Sequence, residues 1–108
     1  MTYRVLFQPR ALDNLDEQYQ YIARQSPDAA ARWFNSFINA LESLKEFPER
    51  CAVARESEQA GREVRQLLFG KRGGVRRAYF VIENDTVRIL CIRHSAQSDA
   101  APEDLIDE

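Results

Sequence analysis

Six residues in the second half of the chain carry charge or proton-transfer chemistry at strand spacing: Arg65, Arg76, Arg77, Arg88, Arg93 and His94. Guanidinium groups bind phosphate oxygens bidentately. A histidine changes charge near neutral pH and serves as a general acid or base. In this reading several of these arginines would converge at one end of the sheet to hold a phosphate, and His94, the single histidine, would move a proton. The alternative, arginines scattered over a solvated strand face and a histidine satisfied within the structure, stays open on spacing alone.

Other chemistries find less support. No Ser/His/Asp or Cys/His arrangement is evident, so triad hydrolysis has no basis. Carboxylate pairs occur only on helix surfaces and near the C-terminus, which argues against a metal nuclease. Cys51 and Cys91 lie far apart without CxxC spacing, and with His94 they make only three residues of the Cys/His type. Structural zinc needs about four. No metal and no cofactor is expected. Gly70-Lys71-Arg72-Gly73-Gly74 lacks the P-loop order and joins strand to strand, so it reads as a hairpin turn. Tyr19, Trp33, Phe34 and Phe37 recur at helical spacing and belong to a core, with some left to face a partner.

The elements that position these residues are legible from periodicity. Tyr3 to Gln8 alternates and predicts a strand. Pro9 ends it, and Leu12, Leu15, Tyr19 and Ile22 then mark one helical face. Ser26-Pro27-Asp28 restarts a helix: a capping hydroxyl, a proline at the first turn and an acid at the positive helix end. Ala30, Trp33, Phe34, Phe37, Leu41 and Leu44 form its stripe, and Pro48 stops it. Arg50 to Arg62 reads as a loop. Strands follow over 64–69, 75–82 and 86–94. On strict alternation Arg76 shares a face with Ala78, Phe80 and Ile82, and Arg77 takes the other. Arg88 and His94 then share a face, and Arg93 joins Val87, Ile89 and Cys91. The expected fold class is α+β, in the order β-α-α-β-β-β. A two-helix hairpin packs on one face of a small antiparallel sheet, and the other face is left free to carry charge.

At 108 residues this is one domain. With 44% apolar residues it can bury a core, which excludes wholesale disorder. No apolar run approaches the ~20 residues of a membrane span. No export signal is evident, so both thiols are expected reduced and the chain cytoplasmic, with no membrane role. The net charge of -2 conceals an uneven distribution. Residues 62–94 hold eight bases against three acids, whereas residues 95–108 hold five acids and no base. That end reads as a loosely held tail, or as an acidic cover for the basic sheet.

The element order, together with Val64-Arg65-Gln66-Leu67-Leu68-Phe69-Gly70-Lys71, Val75-Arg76-Arg77-Ala78-Tyr79 and Val87-Arg88-Ile89-Leu90-Cys91-Ile92-Arg93-His94, resembles the RelE/ParE superfamily of bacterial type II toxins, the plasmid stabilisation type. The resemblance spans residues 3–99. It implies a toxin domain over 1–98, an acidic C-terminal tail over 99–108, and a cognate antitoxin that wraps the toxin in a hetero-oligomer. RelE-like members cleave mRNA on the ribosome; ParE-like members poison DNA gyrase. In the family's Tyr-Arg-x-x-Tyr strand, Val75 takes the first aromatic place, Arg76 the arginine and Tyr79 the second tyrosine. His94-Ser95-Ala96-Gln97-Ser98-Asp99 stands where the family has His-x-x-Arg-Asp, with Gln97 replacing the arginine. Lys71 and Arg72 lie in a turn, and no tyrosine follows Tyr79. These departures favour a ParE-like gyrase poison. A RelE-like mRNA endoribonuclease and a decayed, non-toxic protein-binding module remain as alternatives, and whether the chain is an enzyme stays open.

Overall fold

The computed structural model describes residues 2–71, 74–95, 97 and 99–107. Arg72 and Gly73 of the glycine-rich turn, and Ala96 and Ser98 after His94, lie outside the described residues. Alternation near the N-terminus becomes strand β1, Arg4–Phe7. Pro9, with its fixed φ, opens helix α1, Pro9–Ala23. The Ser26 hydroxyl accepts from the Ala29 N–H at 3.2 Å and caps helix α2, Pro27–Glu42. 3-10 turns at Ser43–Lys45 and Pro48–Arg50 follow α2, and the loop expected over 50–62 holds a short helix α3, Ser57–Ala60. Strands β2, Arg65–Phe69, β3, Arg76–Glu83, and β4, Thr86–His94, follow, and a last 3-10 turn spans Pro102–Leu105.

The α+β architecture and helical hairpin are as expected, with one correction to the sheet. Its order is β1-β4-β3-β2. β2, β3 and β4 form the antiparallel meander, but β1 pairs with β4 in parallel, so the sheet is mixed. Short turns force antiparallel pairing only between consecutive strands. The helical layer separates β1 from the meander, and local alternation carries no information about its direction.

A second correction concerns the far face. The helices cover one face, where Leu15, Phe37, Leu41 and Leu44 meet Ala78, Phe80, Val87, Ile89 and Ile92. The other face is not left to charge. Tyr79, Val81, Leu90 and Cys91 pack with Ala54, Val64, Ala100 and Leu105 in a second core. The end of the chain is therefore docked rather than loosely held. Three of its acids also face arginines: Asp99 meets Arg55 and Arg77, Asp104 meets Arg10 and Arg93, and Asp107 meets Arg62. Among the described residues no helix is long and apolar enough to cross a membrane.

A β-bulge breaks the alternation on which the facing of β4 was read. Tyr79 pairs with Cys91, but Phe80 pairs with Ile89, which leaves Leu90 as the extra residue. Leu90 and Cys91 both enter the second core, while Ile89 and Ile92 both enter the first. The parity beyond Leu90 is inverted. His94 pairs with Arg76 and joins its face, apart from Arg88; Arg93 pairs with Arg77, apart from Val87 and Ile89.

Candidate functional site

Arg76 opens β3 beneath the helical hairpin. Only 8% of the residue is exposed. Its Nε donates to Gln18 Oε1 at 3.0 Å, and its Nη1 donates to the Gly74 carbonyl at 2.7 Å. The guanidinium carbon lies 5.2 Å from the centre of the Trp33 ring, a cation–π stack. Burial holds the guanidinium pKa below its ordinary value. Among the described residues no carboxylate lies within 4.0 Å of it.

The turn before β3 is shaped for this arrangement. Gly70 has φ +106°, and a Cβ there would stand 2.5 Å from the Gly74 carbonyl oxygen, the acceptor for Arg76. Glycine at 70 thus permits the close approach that places this acceptor.

Arg76, His94 and Arg93 border one cleft of about 360 Å3, together with Asn14, Gln18, Tyr21 and Gln97. Sequence reasoning missed the three amides, which organise the cleft. Asn14 Oδ1 accepts from the Ile92 N–H at 2.9 Å, and Gln18 Nε2 donates to the Ile92 carbonyl at 3.1 Å. Gln97 Oε1 accepts from the His94 backbone N–H at 2.7 Å. The available signal was Asn14 and Gln18 at i, i+4, one polar stripe on α1 beside its apolar one.

The structure does not bring Arg65 to this cleft. Arg65 pairs with Phe80, about 13 Å along β3 from Arg76. Its Nη1 donates to the carbonyls of Glu49 and Cys51 at 3.1 and 2.6 Å, and its Nη2 meets Glu63 at 3.1 Å. Arg93 borders the cleft but stands 3.7 Å from Asp104.

On the opposite face Arg77 donates to Glu56 at 2.8 Å and to Gln66 at 2.9 Å, and the Tyr79 hydroxyl donates to the other Glu56 oxygen. The Ala100 N–H also donates to Glu56, at 3.2 Å. Burial alone would raise the Glu56 pKa. The hydrogen bonds from Tyr79, Arg77 and the backbone outweigh it, and the carboxyl is held below its ordinary range. This network ties α3, β3 and the chain's end together.

The family model of the ParE toxin of type II toxin-antitoxin system, parDE, matches residues 5–99, both faces of the sheet included. The chain belongs to the ParE toxin family. Among solved structures it is similar to a chain of the chromosomal ParDE TA system from P. aeruginosa, at 21% identity and a TM-score of 0.67. That likeness covers 86% of this chain and 96% of the other, and it shows the shared fold. No protein of curated function matches. Within this ParE-family chain, Arg76 and His94 are two sequence-read residues that the fold sets directly opposite one another.

Proposed function

We propose that this chain is the growth-inhibiting toxin of a two-component system, held inactive in the cytoplasm by a cognate antitoxin in a hetero-complex, and that its target is DNA gyrase. The observation that carries this reading is the ParE toxin family match across residues 5–99. The gyrase target is further supported by what a ribonuclease site would lack here. Gln97 replaces an arginine, no tyrosine follows Tyr79, and Arg65 lies apart from Arg76.

A second reading, ribosome-dependent mRNA cleavage, is favoured by one observation: the β4 bulge sets His94 opposite Arg76. In that chemistry Arg76 would neutralise the scissile phosphate, with Arg93 at the rim, and His94 would transfer the proton.

The test is inducible expression of the chain alone in a bacterium, with labelled precursors following DNA and protein synthesis. The expected outcome is an early stop in DNA synthesis with filamentation, reversed by co-expressed antitoxin. Translation stopping first would replace gyrase with mRNA, and Arg76→Ala and His94→Ala would then abolish the effect. Normal growth would overturn both readings in favour of a non-toxic binding module.

A further inference from the structure

We propose that Phe47 is the anchor by which two copies of this chain pair, each seating its ring in an apolar cavity of the other. The backbone supplies the first observation. Phe47 has φ 45° and ψ 60°, the left-handed conformation. Among the described residues one other non-glycine has a positive φ, Asn84, whose short amide suits a turn. A bulky aromatic does not suit it, and a following proline, here Pro48, pushes the residue before it towards extended backbone. The surrounding structure imposes the conformation. Leu44, Pro48 and Cys51 are buried on either side. Arg50 Nη1 donates to the carbonyls of Glu46 and Phe47 at 2.7 and 3.2 Å, and its Nη2 donates to the Ser43 hydroxyl at 2.8 Å.

The side chain supplies the second observation. At 66%, Phe47 is the most exposed of the large apolar side chains described. Folding therefore strains the backbone here and also leaves an aromatic ring in water. Glycine at this position would remove both costs. A partner that buries the ring offsets them instead.

A second copy of the chain supplies the socket. On the helical hairpin a cavity of about 430 Å3 is lined by Leu12, Leu15, Tyr19 and Phe34, with Asp16 as its one charged residue. Tyr19 and Phe34 meet edge to face with ring centres 5.7 Å apart, and Leu12 is 51% exposed at the mouth. Such a cavity accepts a further aromatic ring. Phe47 does not line it, so an entering Phe47 belongs to another molecule. Charge agrees with this pairing. Arg50 stands at the base of Phe47, and Asp16 stands at the cavity. Among the described residues neither has an opposite charge within 4.0 Å. The two halves of the contact thus carry opposite signs. Because one chain bears both halves, a two-fold arrangement uses each of them twice and closes at a dimer.

Sedimentation velocity of the full chain across a dilution series tests this. The expected result is reversible association that stops at a dimer. Phe47→Gly is expected to weaken it roughly tenfold or more. The same variant, melted at a dilution where the parent is monomeric, should keep the parent's midpoint, because the ring is not part of the core. Leu12→Glu, at an exposed position, sets a second acid beside Asp16 in the socket and is expected to weaken association similarly. The two variants mixed should associate more tightly than either alone, since Leu12→Glu still carries the ring and Phe47→Gly still carries the intact cavity. A chain that is monomeric at every concentration overturns the proposal. So does a Phe47→Gly protein that pairs as well as its parent, or a mixture that pairs no better than its components. A marked fall in the Phe47→Gly midpoint would make the ring structural and overturn it as well. Growth inhibition does not enter this readout, so failure of the toxin reading and failure of the dimer contact are distinguishable.

Discussion

Arg77 reaches Glu56 at 2.8 Å on one face of the sheet, while Arg76, the residue before it, donates on the other to the neutral oxygens of Gln18 and Gly74. Both are buried. Adjacent strand residues point to opposite faces, so two chemically identical neighbours enter different environments. One charge meets a carboxylate within the fold, and the other meets neutral oxygens and the Trp33 ring.

The two positions are therefore expected to respond differently to the same substitution. Arg77→Met strands Glu56 in the second core and is expected to destabilise by about 3 kcal/mol. Arg76→Met removes an uncompensated buried cation and keeps an apolar stem against Trp33, so its cost is expected to stay within about 1 kcal/mol. Equilibrium urea unfolding of both variants checks this. Equal losses would mean that Arg76 is as much a structural residue as Arg77.

Glu56 contributes to the acid limb of stability. Its folded pKa lies below the ordinary 4.5, so the unfolded chain takes up the proton first. The contribution is present above that value and is lost as pH falls through the folded pKa. Stability is expected to drop steeply from about pH 4.5 downward. Glu56→Gln, which gives up the ion pair, should be less stable at neutral pH and show a flatter acid limb. Thermal melts across this range measure both effects.

The end of the chain is expected to act as part of the core. Leu105 is buried against the second face beside Cys91. Leu105→Ala is expected to cost about 3 kcal/mol. Cys91 offers an independent readout. Burial pushes its thiol pKa up to about 12, so it should resist a thiol reagent in the intact chain. Removing residues 99–108 uncovers this face, and Cys91 should then react readily. Unchanged reactivity would show that the terminal segment does not protect it.

Much of this molecule was legible in its sequence, and the failures have local causes. Pro9, Ser26 and Pro27 marked the helix starts because caps and prolines act within a turn. The short turns of the meander declared its antiparallel pairing. The parallel pairing of β1 with β4 was not legible, since it depends on how distant segments dock. The second core was missed because Ala54, Ala100 and Leu105 lie in stretches without periodicity. For the site, Arg76 was read on the correct face, but His94 was not. A single extra residue, Leu90, inverts every side chain beyond it, and an apolar run from Ile89 to Ile92 carries no sign of which residue is bulged. Arg65 shares the chemistry of Arg76, yet register, which composition does not encode, puts it elsewhere on the sheet.

Two glycines separate the general strain of left-handed backbone from the specific demand of the site. Gly61 has φ +73° and nothing within 4 Å of a Cβ, so Gly61→Ala is expected to cost only the left-handed penalty, about 1 kcal/mol. Gly70 has φ +106°, and its Cβ would meet the Gly74 carbonyl oxygen at 2.5 Å. Backbone cannot yield as a side-chain tip does, so Gly70→Ala is expected to cost more, about 2 kcal/mol or above. The displaced carbonyl is the acceptor for Arg76 Nη1. Gly70→Ala should therefore also shift the Trp33 indole resonance, whereas Gly61→Ala should leave it in place. Unfolding curves and that single resonance, measured on both variants, decide whether the turn before β3 is a mere connection or the support on which Arg76 is held.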